Sequence, residues 1–271
     1  MMFLKVFLFC LTFSVLADVY QWQDDYGIKH FSDRSHPQAK IIDIKPGYGF
    51  YTVQKIYDGD TIMLNDGRKV RLLGINTPEI EHRGKLADVG GDEAKQWLTG
   101  RLLNNKVRLV TDIEKTDKYG RTLAHLFSEK KDHINLQLVE TGLAEVTIYP
   151  PNLLFADELL KAQDIAEQKK LGLWQREEYA IKPASGLNQN GYKGWTRLVD
   201  KVSGVRFARK FVYLECSSHF EIRIERQWLF LFPDLNRYVG NVVEVRGWLN
   251  KNRTGFSMLI RHPSALKIQK S

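Results

Sequence analysis

The chain has 271 residues, of which 43% are hydrophobic and 27% are charged. These proportions exclude wholesale disorder, and the length allows one large domain or two modest ones. A net charge of +8 favours a polyanionic partner such as nucleic acid, anionic lipid or acidic polysaccharide, without selecting among them.

Residues 1–17 have the pattern of a signal peptide. Lys5 gives a short positive region, an apolar run follows from Val6 to Val15, and Ala17 offers a small residue for cleavage. We expect export to the periplasm or the medium, and no membrane span, because no run is long enough. Cleavage would remove Cys10, so that Cys216 would have no partner for an intramolecular disulfide and is expected to be a buried core thiol.

Residues 18–45 are predicted to form a small N-terminal module. Two short runs of alternating apolar residues, Val19–Trp22 and Ile28–Phe31, indicate a β-hairpin. The segment resembles a small module found directly after bacterial signal peptides, and we assign it an accessory role.

Residues 46–176 are predicted to form one domain of five strands and three helices. Alternating apolar runs, with a hairpin signal at Asn65-Asp-Gly67, predict strands at Phe50–Tyr57, Thr61–Asn65, Lys69–Gly74, Val107–Thr111 and Leu123–Phe127. Helical patterns predict a helix capped by Asp92 and two more over Ile134–Thr141 and Leu153–Leu171. This order suits an α+β fold, an oligonucleotide-binding-type five-stranded β-barrel with three packed helices.

Residues 177–194 have the composition of a linker, and residues 195–271 are again rich in predicted strands. Five runs indicate a second small β-barrel, resembling the oligonucleotide-binding-like extensions of some secreted nucleases: Gly204–Phe207, Phe211–Ser217, His219–Ile224, Val242–Leu249 and Gly255–Arg261. Arg206, Arg209 and Lys210 alternate with Phe207 and Phe211 there, which suits single-strand binding. An ordinary barrel face has the same pattern, and we favour that interpretation slightly.

Two stretches carry residues suited to phosphodiester hydrolysis, Asp58–Glu79 and Asp117–Arg121. Arg71 and Arg121 can neutralise charge on phosphate oxygens. Asp60, Asn76 and the backbone carbonyl of Thr77 can offer oxygens to a hard cation, and Glu79 can orient or deprotonate water. The seven histidines show no spacing typical of a zinc site.

These motifs resemble the staphylococcal nuclease (thermonuclease) family over residues 50–174. The matching segments are Asp58-Gly-Asp-Thr61, Arg71-Leu-Leu73, Asn76-Thr-Pro-Glu79, Thr116-Asp-Lys-Tyr-Gly-Arg121 and Leu143-Ala-Glu-Val146. The resemblance implies a calcium-dependent enzyme on an oligonucleotide-binding fold. It implies that Asp60 is the calcium carboxylate, that Arg71 and Arg121 clamp phosphate, and that Glu79 is the proposed general base.

The same resemblance implies that Lys118 and Tyr119 flank the nucleotide pocket and that Tyr149 stacks on a base. Asn76 departs from the family pattern, which has an aspartate as a second calcium carboxylate at this position. A neutral amide still offers one oxygen, so we expect weaker calcium binding rather than none.

The sequence therefore favours an exported, calcium-dependent nuclease that cleaves DNA and RNA, single strands above all, with little sequence specificity. We expect it to act as a monomer with no obligate protein partner. The alternative is a catalytically weak or inactive nucleic-acid-binding module on the same fold, motivated by Asn76. Carbohydrate binding by the C-terminal barrel stays open.

Overall fold

The structure is a computed structural model. It describes residues 19–24, 27–32, 34–42, 49–81, 88–187, 194–217, 219–251 and 255–269. The predicted signal peptide lies outside these residues. Residues 1–48 and 49–271 form two separate units, and each is described by itself. Among the described residues, no helix is long and apolar enough to cross a membrane.

The N-terminal unit contains a three-stranded antiparallel sheet with the order β2-β1-β3. Its strands are β1 (Val19–Gln23), β2 (Lys29–Ser32) and β3 (Lys40–Ile42). The predicted hairpin is β1–β2, in which Trp22 lies opposite His30. The sequence did not predict the third strand, because its three residues are too few to show an alternating pattern.

Residues 49–176 contain the predicted closed barrel of five strands, in the order β4-β5-β6-β9-β8. The strands of this region are β4 (Phe50–Ile56), β5 (Thr61–Leu64), β6 (Lys69–Leu72), β7 (Ile75–Asn76), β8 (Lys106–Val110), β9 (Thr122–Ser128) and β10 (Glu145–Val146). Parallel pairing of β6 with β9 closes the barrel. Outside it, β7 and β10 pair in a two-stranded sheet.

Three helices pack on the barrel: α1 (Gly91–Leu102), α2 (Ile134–Glu140) and α3 (Ala156–Gln168). Leu98, Leu138 and Leu159, one from each helix, join the barrel residues in one hydrophobic core. The predicted cap at Asp92 is wrong, because α1 begins after Gly90 and Asp92 lies in its first turn. The third helix is shorter than predicted at both ends.

The C-terminal strands form one eight-stranded sheet, which includes the five predicted strands. They are β11 (Ile181–Pro183), β12 (Gly194–Lys201), β13 (Gly204–Phe207), β14 (Phe211–Glu215), β15 (Phe220–Glu225), β16 (Val242–Lys251), β17 (Phe256–Ile260) and β18 (Leu266–Ile268). Their order is β11-β12-β16-β17-β15-β14-β13, with β18 beside β16, and only Val202 and Ser203 separate β12 from β13 along the chain. Closure of this sheet into a second barrel stays a prediction.

This sheet has its own hydrophobic core, separate from that of the barrel. Cys216 packs against the second core and is half-buried, and burial raises the pKa of its thiol to about 12. The thiol is therefore protonated at neutral pH, in keeping with a structural role.

Part of the predicted linker over residues 177–194 forms secondary structure. Ile181–Pro183 pairs in parallel with β12, and Ala184 is buried in the second core. Pro183 ends a strand and Gly186 lies in a short 3-10 turn. Composition alone cannot distinguish such a segment from a linker. Residues 188–193 of the predicted linker lie outside the described residues.

Buried ion pairs join the two cores. Glu167 of α3 accepts hydrogen bonds from Arg197 of β12 and Arg246 of β16. Both arginines also bind Glu244, at 2.8 Å and 2.6 Å. The last helix of the barrel region is thus tied to the C-terminal sheet by charge-assisted hydrogen bonds.

Candidate active site

The turn between β4 and β5 holds Asp60 at the rim of the barrel. The side chain of Asp58 accepts a hydrogen bond from the Asp60 backbone N–H, and the Asp60 carbonyl accepts one from Leu72. Gly59 lies so close to its neighbours that a Cβ there would come within 2.6 Å of Ala94 and 2.7 Å of the Thr77 hydroxyl. Close packing against α1, rather than a special backbone angle, therefore requires glycine at this position.

The carboxylate of Asp60 is buried, with 6% of the residue exposed. Its Oδ2 accepts hydrogen bonds from Arg71 Nη2 at 2.9 Å and from the Thr77 backbone N–H at 3.0 Å. Its Oδ1 accepts one from the Thr61 hydroxyl. The structure thus brings Asp60, Arg71 and Thr77 into direct contact.

Arg71 is already held by protein acceptors. Its Nη1 donates to the carbonyls of Leu72 and Ile75, and its Nη2 donates to Asp60 and to Asn76 Oδ1. A phosphate clamped by the two Nη atoms, as the sequence predicted, would have to share or displace one of these acceptors. In the protein alone, Arg71 orients the predicted cation ligands.

Glu145 is a site residue to which the sequence analysis gave no role. It lies opposite Asn76 in the β7–β10 pair, and its Oε1 accepts a hydrogen bond of 3.0 Å from Asn76 Nδ2. This contact turns the Asn76 oxygen towards Arg71. Glu145 is 2% exposed, and burial raises its pKa well above the usual range. The sequence gives two signals for it: Glu145 is a single acidic residue between apolar ones, and it lies in Leu143-Ala-Glu-Val146, one of the segments that resemble the nuclease family.

The side chain of Glu79 forms no hydrogen bond with these described residues, but it lies within their electrostatic field. Burial and then the charge of Asp60 raise the pKa of Glu79, while Arg71 and Arg121 act in the opposite direction. Burial and the charge of Asp60 also raise the pKa of Asp58, to about 6. The carboxyl groups of Asp58, Asp60 and Glu79 therefore lie in one region, where the nearby positive charge is too small to offset their negative charge.

The donor set of this region fits a hard cation, which prefers oxygen ligands. Asp60 and Glu79 can supply carboxylates, Asn76 an amide oxygen and Thr77 a backbone carbonyl. Among the residues that the structure describes, no group of three or more His, Cys, Asp or Glu side chains is close enough to hold a metal ion. A cation here would therefore depend on neutral oxygens as well as on carboxylates.

Arg121 is positioned by Asp117, four residues earlier. Asp117 accepts hydrogen bonds from the backbone N–H and from Nε of Arg121, at 2.9 Å and 2.7 Å. Burial raises the pKa of Asp117, but these hydrogen bonds outweigh it and the pKa is lowered. Arg121 Nη1 lies 3.4 Å from the Thr61 hydroxyl, which itself donates to Asp60. Arg121 is thus linked to Asp60 through the Thr61 hydroxyl.

A cleft of about 880 Å³ opens beside these arginines. Its lining includes Arg71, Arg121 and all three predicted substrate-binding residues, Lys118, Tyr119 and Tyr149. Asp60, Asn76, Thr77 and Glu79 are not among the lining residues, so Arg71 connects the acidic group to the cleft. Tyr119 is 73% exposed, and Lys118 Nζ lies 5.0 Å from the centre of its ring.

The basic and aromatic run over residues 206–211 lies away from this cleft. Arg206 forms ion pairs with Glu215 at 2.7 Å and Glu221 at 3.0 Å. Its guanidinium also packs over the ring of Tyr213. The charge of Arg206 is compensated within the sheet, which agrees with an ordinary sheet face.

Comparison with known proteins places the barrel region in a family. The staphylococcal nuclease homologue family model matches residues 69–176. A thermonuclease of Staphylococcus intermedius is 38% identical over 129 residues, which cover 46% of this chain and 76% of that protein. The chain belongs to the staphylococcal nuclease family.

Two further relatives resemble the chain. A thermonuclease of Staphylococcus hyicus is 35% identical over 127 residues, covering 46% of this chain and 75% of that protein. A probable endonuclease of Uncinocarpus reesii is 31% identical over 136 residues, covering 47% of this chain and 44% of that protein. Because the family model ends at residue 176, the C-terminal sheet lies outside it.

Proposed function

We propose that this protein is a calcium-dependent nuclease that hydrolyses phosphodiester bonds of DNA and RNA with little sequence specificity. The observation that carries the proposal is the connected group of Asp60, Arg71, Thr61 and Arg121, with Glu79 in its field and a cationic cleft beside it. The similarity to thermonucleases and to a probable endonuclease supports the same reaction class.

The residues divide the chemistry between them. Arg121 is anchored by Asp117 and can bind a phosphate oxygen without reorganising, which stabilises charge that develops there. Arg71 can contribute once an acceptor is exchanged for phosphate. Glu79 is partly buried with a raised pKa, a property that suits a group which takes a proton from water.

Calcium would be held by Asp60, the Asn76 amide oxygen, the Thr77 carbonyl and Glu79. When bound, it would polarise a phosphate oxygen and offset the carboxylate charges of the site. The Asn76 amide contributes no charge, so we expect weak affinity, in a concentration range of about 10⁻⁴–10⁻³ M. Arg71 and Glu145 fix the direction of that amide.

The cleft suits single strands better than a duplex. Tyr119 and Tyr149 expose large parts of their rings, and Lys118, Arg121 and Arg71 lie around them. Exposed rings can stack on unpaired bases of any identity, and the cations follow the backbone. This combination favours single-stranded or loosened DNA and RNA.

A second candidate is a binding module that does not hydrolyse its ligand. Two observations favour it: the neutral Asn76 and the engagement of both Arg71 Nη atoms with protein acceptors. Such a protein would bind nucleic acid in a salt-sensitive manner that is indifferent to calcium.

The two candidates are separated by assaying cleavage of denatured DNA across a calcium series and with a chelator. The nuclease requires cleavage that rises with calcium and disappears with the chelator. Arg121→Ala should lower the rate by about 10²–10³-fold, and Arg101→Ala, an exposed arginine on α1, should leave it unchanged. Salt-sensitive binding without cleavage at any calcium concentration would instead establish the binding module.

We also propose that residues 1–17 are removed on export and that the mature chain is a monomer. The support is the charge and apolar pattern of residues 1–17 in the sequence. N-terminal sequencing of the exported protein and its mass in solution test these two points. A retained leader or a dimeric mass would contradict them.

A further inference from the structure

The C-terminal sheet supplies a residue to the candidate active-site cleft. Arg261, directly after β17, lines the cleft together with Arg121 and Tyr149. Its guanidinium lies over the ring of Tyr149, 5.0 Å from the ring centre. Arg261 lies well beyond residue 176, so this wall of the cleft does not come from the part of the chain that matches the family model.

A second cleft of about 330 Å³ lies beside the first one. Both are lined by Thr147, Tyr149 and Arg261. Beyond these shared residues, the second cleft is bounded by the C-terminal sheet, including Trp248 of β16, which is 40% exposed. The two clefts are therefore neighbours on one surface.

The charge of the second cleft favours a polyanion. Among the described residues that line it there is no Asp or Glu, and the basic ones are Arg246, Arg261 and His262. Arg246 is committed to Glu167 and Glu244, and burial lowers the pKa of His262 so that it is neutral at pH 7. Within the described part of the chain, the one ion pair of Arg261 is a long contact of 3.8 Å with Glu225, so its charge is the one most available to a ligand.

We propose that the second cleft is an additional nucleotide subsite, in which Arg261 binds a backbone phosphate and Trp248 stacks on an unpaired base. The proposal rests on the proposed function, because it extends that substrate track with a further stretch of the same single strand. Its occupant follows from the three lining residues shared with the active-site cleft and from the pairing of an available cation with exposed rings. The C-terminal sheet would thus increase affinity for long strands more than for short ones.

The test is binding of labelled oligothymidylates of two to ten nucleotides to a Glu79→Gln protein without metal, which prevents hydrolysis. Arg261→Ala and Trp248→Ala should each weaken binding of the ten-nucleotide strand about tenfold. Trp248→Ala should change dinucleotide binding less than about twofold, and Arg261→Ala should weaken dinucleotide binding less than it weakens long-strand binding. Arg261→Ala should also lower the slope of log affinity against log salt by about 0.7. Arg261→Glu should weaken long-strand binding further.

Matched controls use residues of the same type elsewhere on the C-terminal part. Arg237→Ala and Phe230→Ala remove an exposed arginine and an exposed ring that line neither cleft, and both should bind every length as the parent does. Equal long-strand binding by the Arg261 variants and the parent would overturn the proposal. Loss of dinucleotide binding in the same proportion would also overturn it, because Arg261 would then belong to the first cleft alone.

Failure of the proposed function gives a different result. Hydrolysis of a dinucleotide by the unsubstituted protein with calcium depends on the active site and not on the second cleft. If that hydrolysis is absent and long strands still bind more tightly than short ones in a way that Arg261→Ala removes, the nuclease is rejected and the subsite is kept. If hydrolysis occurs but long strands gain no affinity that depends on Arg261, the subsite is rejected and the nuclease is kept.

Discussion

Asn76 is fixed by partners on both sides of its amide. Arg71 donates to its oxygen, and its nitrogen donates to the buried Glu145. This arrangement explains how a neutral residue can stand in the predicted cation site without leaving its own amide unsatisfied. The amide and the neighbouring carboxyl group form one pair, so the effect of exchanging one depends on what the other can donate or accept.

Asn76→Asp should therefore destabilise the metal-free protein although it adds a possible cation ligand. The new carboxylate would face Glu145 Oε1 across the 3.0 Å now bridged by an N–H donor. We expect a loss of about 1–3 kcal/mol in the free energy of unfolding at pH 7.5, measured by urea denaturation.

The double variant Asn76→Asp/Glu145→Gln should recover most of that loss, because the glutamine amide can donate to the new carboxylate. Glu145→Gln alone keeps an acceptor for Asn76 and should change the stability by less than about 1 kcal/mol. A stable Asn76→Asp protein with no effect of the second substitution would show that the two residues are independent.

At the scale of elements, the turn between β4 and β5 is held in place by α1. Gly59 is in contact distance of Ala94 on that helix and of Thr77, whose N–H binds Asp60. The site therefore depends on how closely a helix outside the barrel approaches the rim. The predicted strands Phe50–Tyr57 and Thr61–Asn65 leave residues 58–60 for a turn, but they do not show this contact, which joins residues 35 positions apart.

Gly59→Ala should lower the free energy of unfolding by about 1–3 kcal/mol and reduce nuclease activity, because the added methyl must displace Thr77 or α1. Gly100→Ala is the matched control. It lies within α1 with no atom near the added methyl, and it should stabilise the protein by about 0.5–1 kcal/mol. Equal effects of the two substitutions would contradict the packing argument.

A buried histidine pair links β9 to the start of α2. His125 Nδ1 lies 3.1 Å from His133 Nε2, and burial lowers their pKa values to about 3 and about 4. In the unfolded chain both would bind protons below pH ~6.5. The unfolded state therefore binds more protons between pH ~6.5 and ~4, so stability falls as the pH is lowered through this window.

His125→Gln should weaken this pH dependence while keeping a polar side chain beside His133. We expect the difference between the unfolding free energies at pH 7 and pH 5 to shrink by about 1–2 kcal/mol relative to the unsubstituted protein. Urea denaturation at the two pH values measures it. An unchanged difference would mean that His125 is protonated in the folded protein.

At the scale of the whole chain, residues 49–271 contain two hydrophobic cores joined by ion pairs around Glu167. Arg197, Glu244 and Arg246 are largely buried, so the loss of one charge leaves others uncompensated. We infer that this cluster holds the C-terminal sheet, and with it Arg261, against the barrel region.

Glu167→Gln should reduce stability by about 3 kcal/mol and separate the unfolding of the two cores in calorimetry. Glu158→Gln, an exposed position on the same helix, should change stability by less than about 0.5 kcal/mol. A single unshifted transition in the Glu167 variant would show that the ion pairs do not couple the cores.

The sequence predicted those features that depend on local patterns. Alternating apolar residues and the Asn65–Gly67 turn located the five barrel strands, and the second predicted helix ends within one residue of α2, just before Gly142. Pairings between distant residues could not be predicted in this way. Glu145 meets Asn76 across 69 positions, and Arg261 joins the cleft from the other core.

We propose that Glu79 acts in phosphodiester hydrolysis beside Asp60 and Arg121. The most direct test is the rate of cleavage of denatured DNA with saturating calcium by Glu79→Gln, compared with Glu81→Gln two residues further on. We predict a fall of about 10²–10⁴-fold for Glu79→Gln and a change of less than about threefold for Glu81→Gln. Equal rates for Glu79→Gln and the unsubstituted protein would contradict the account.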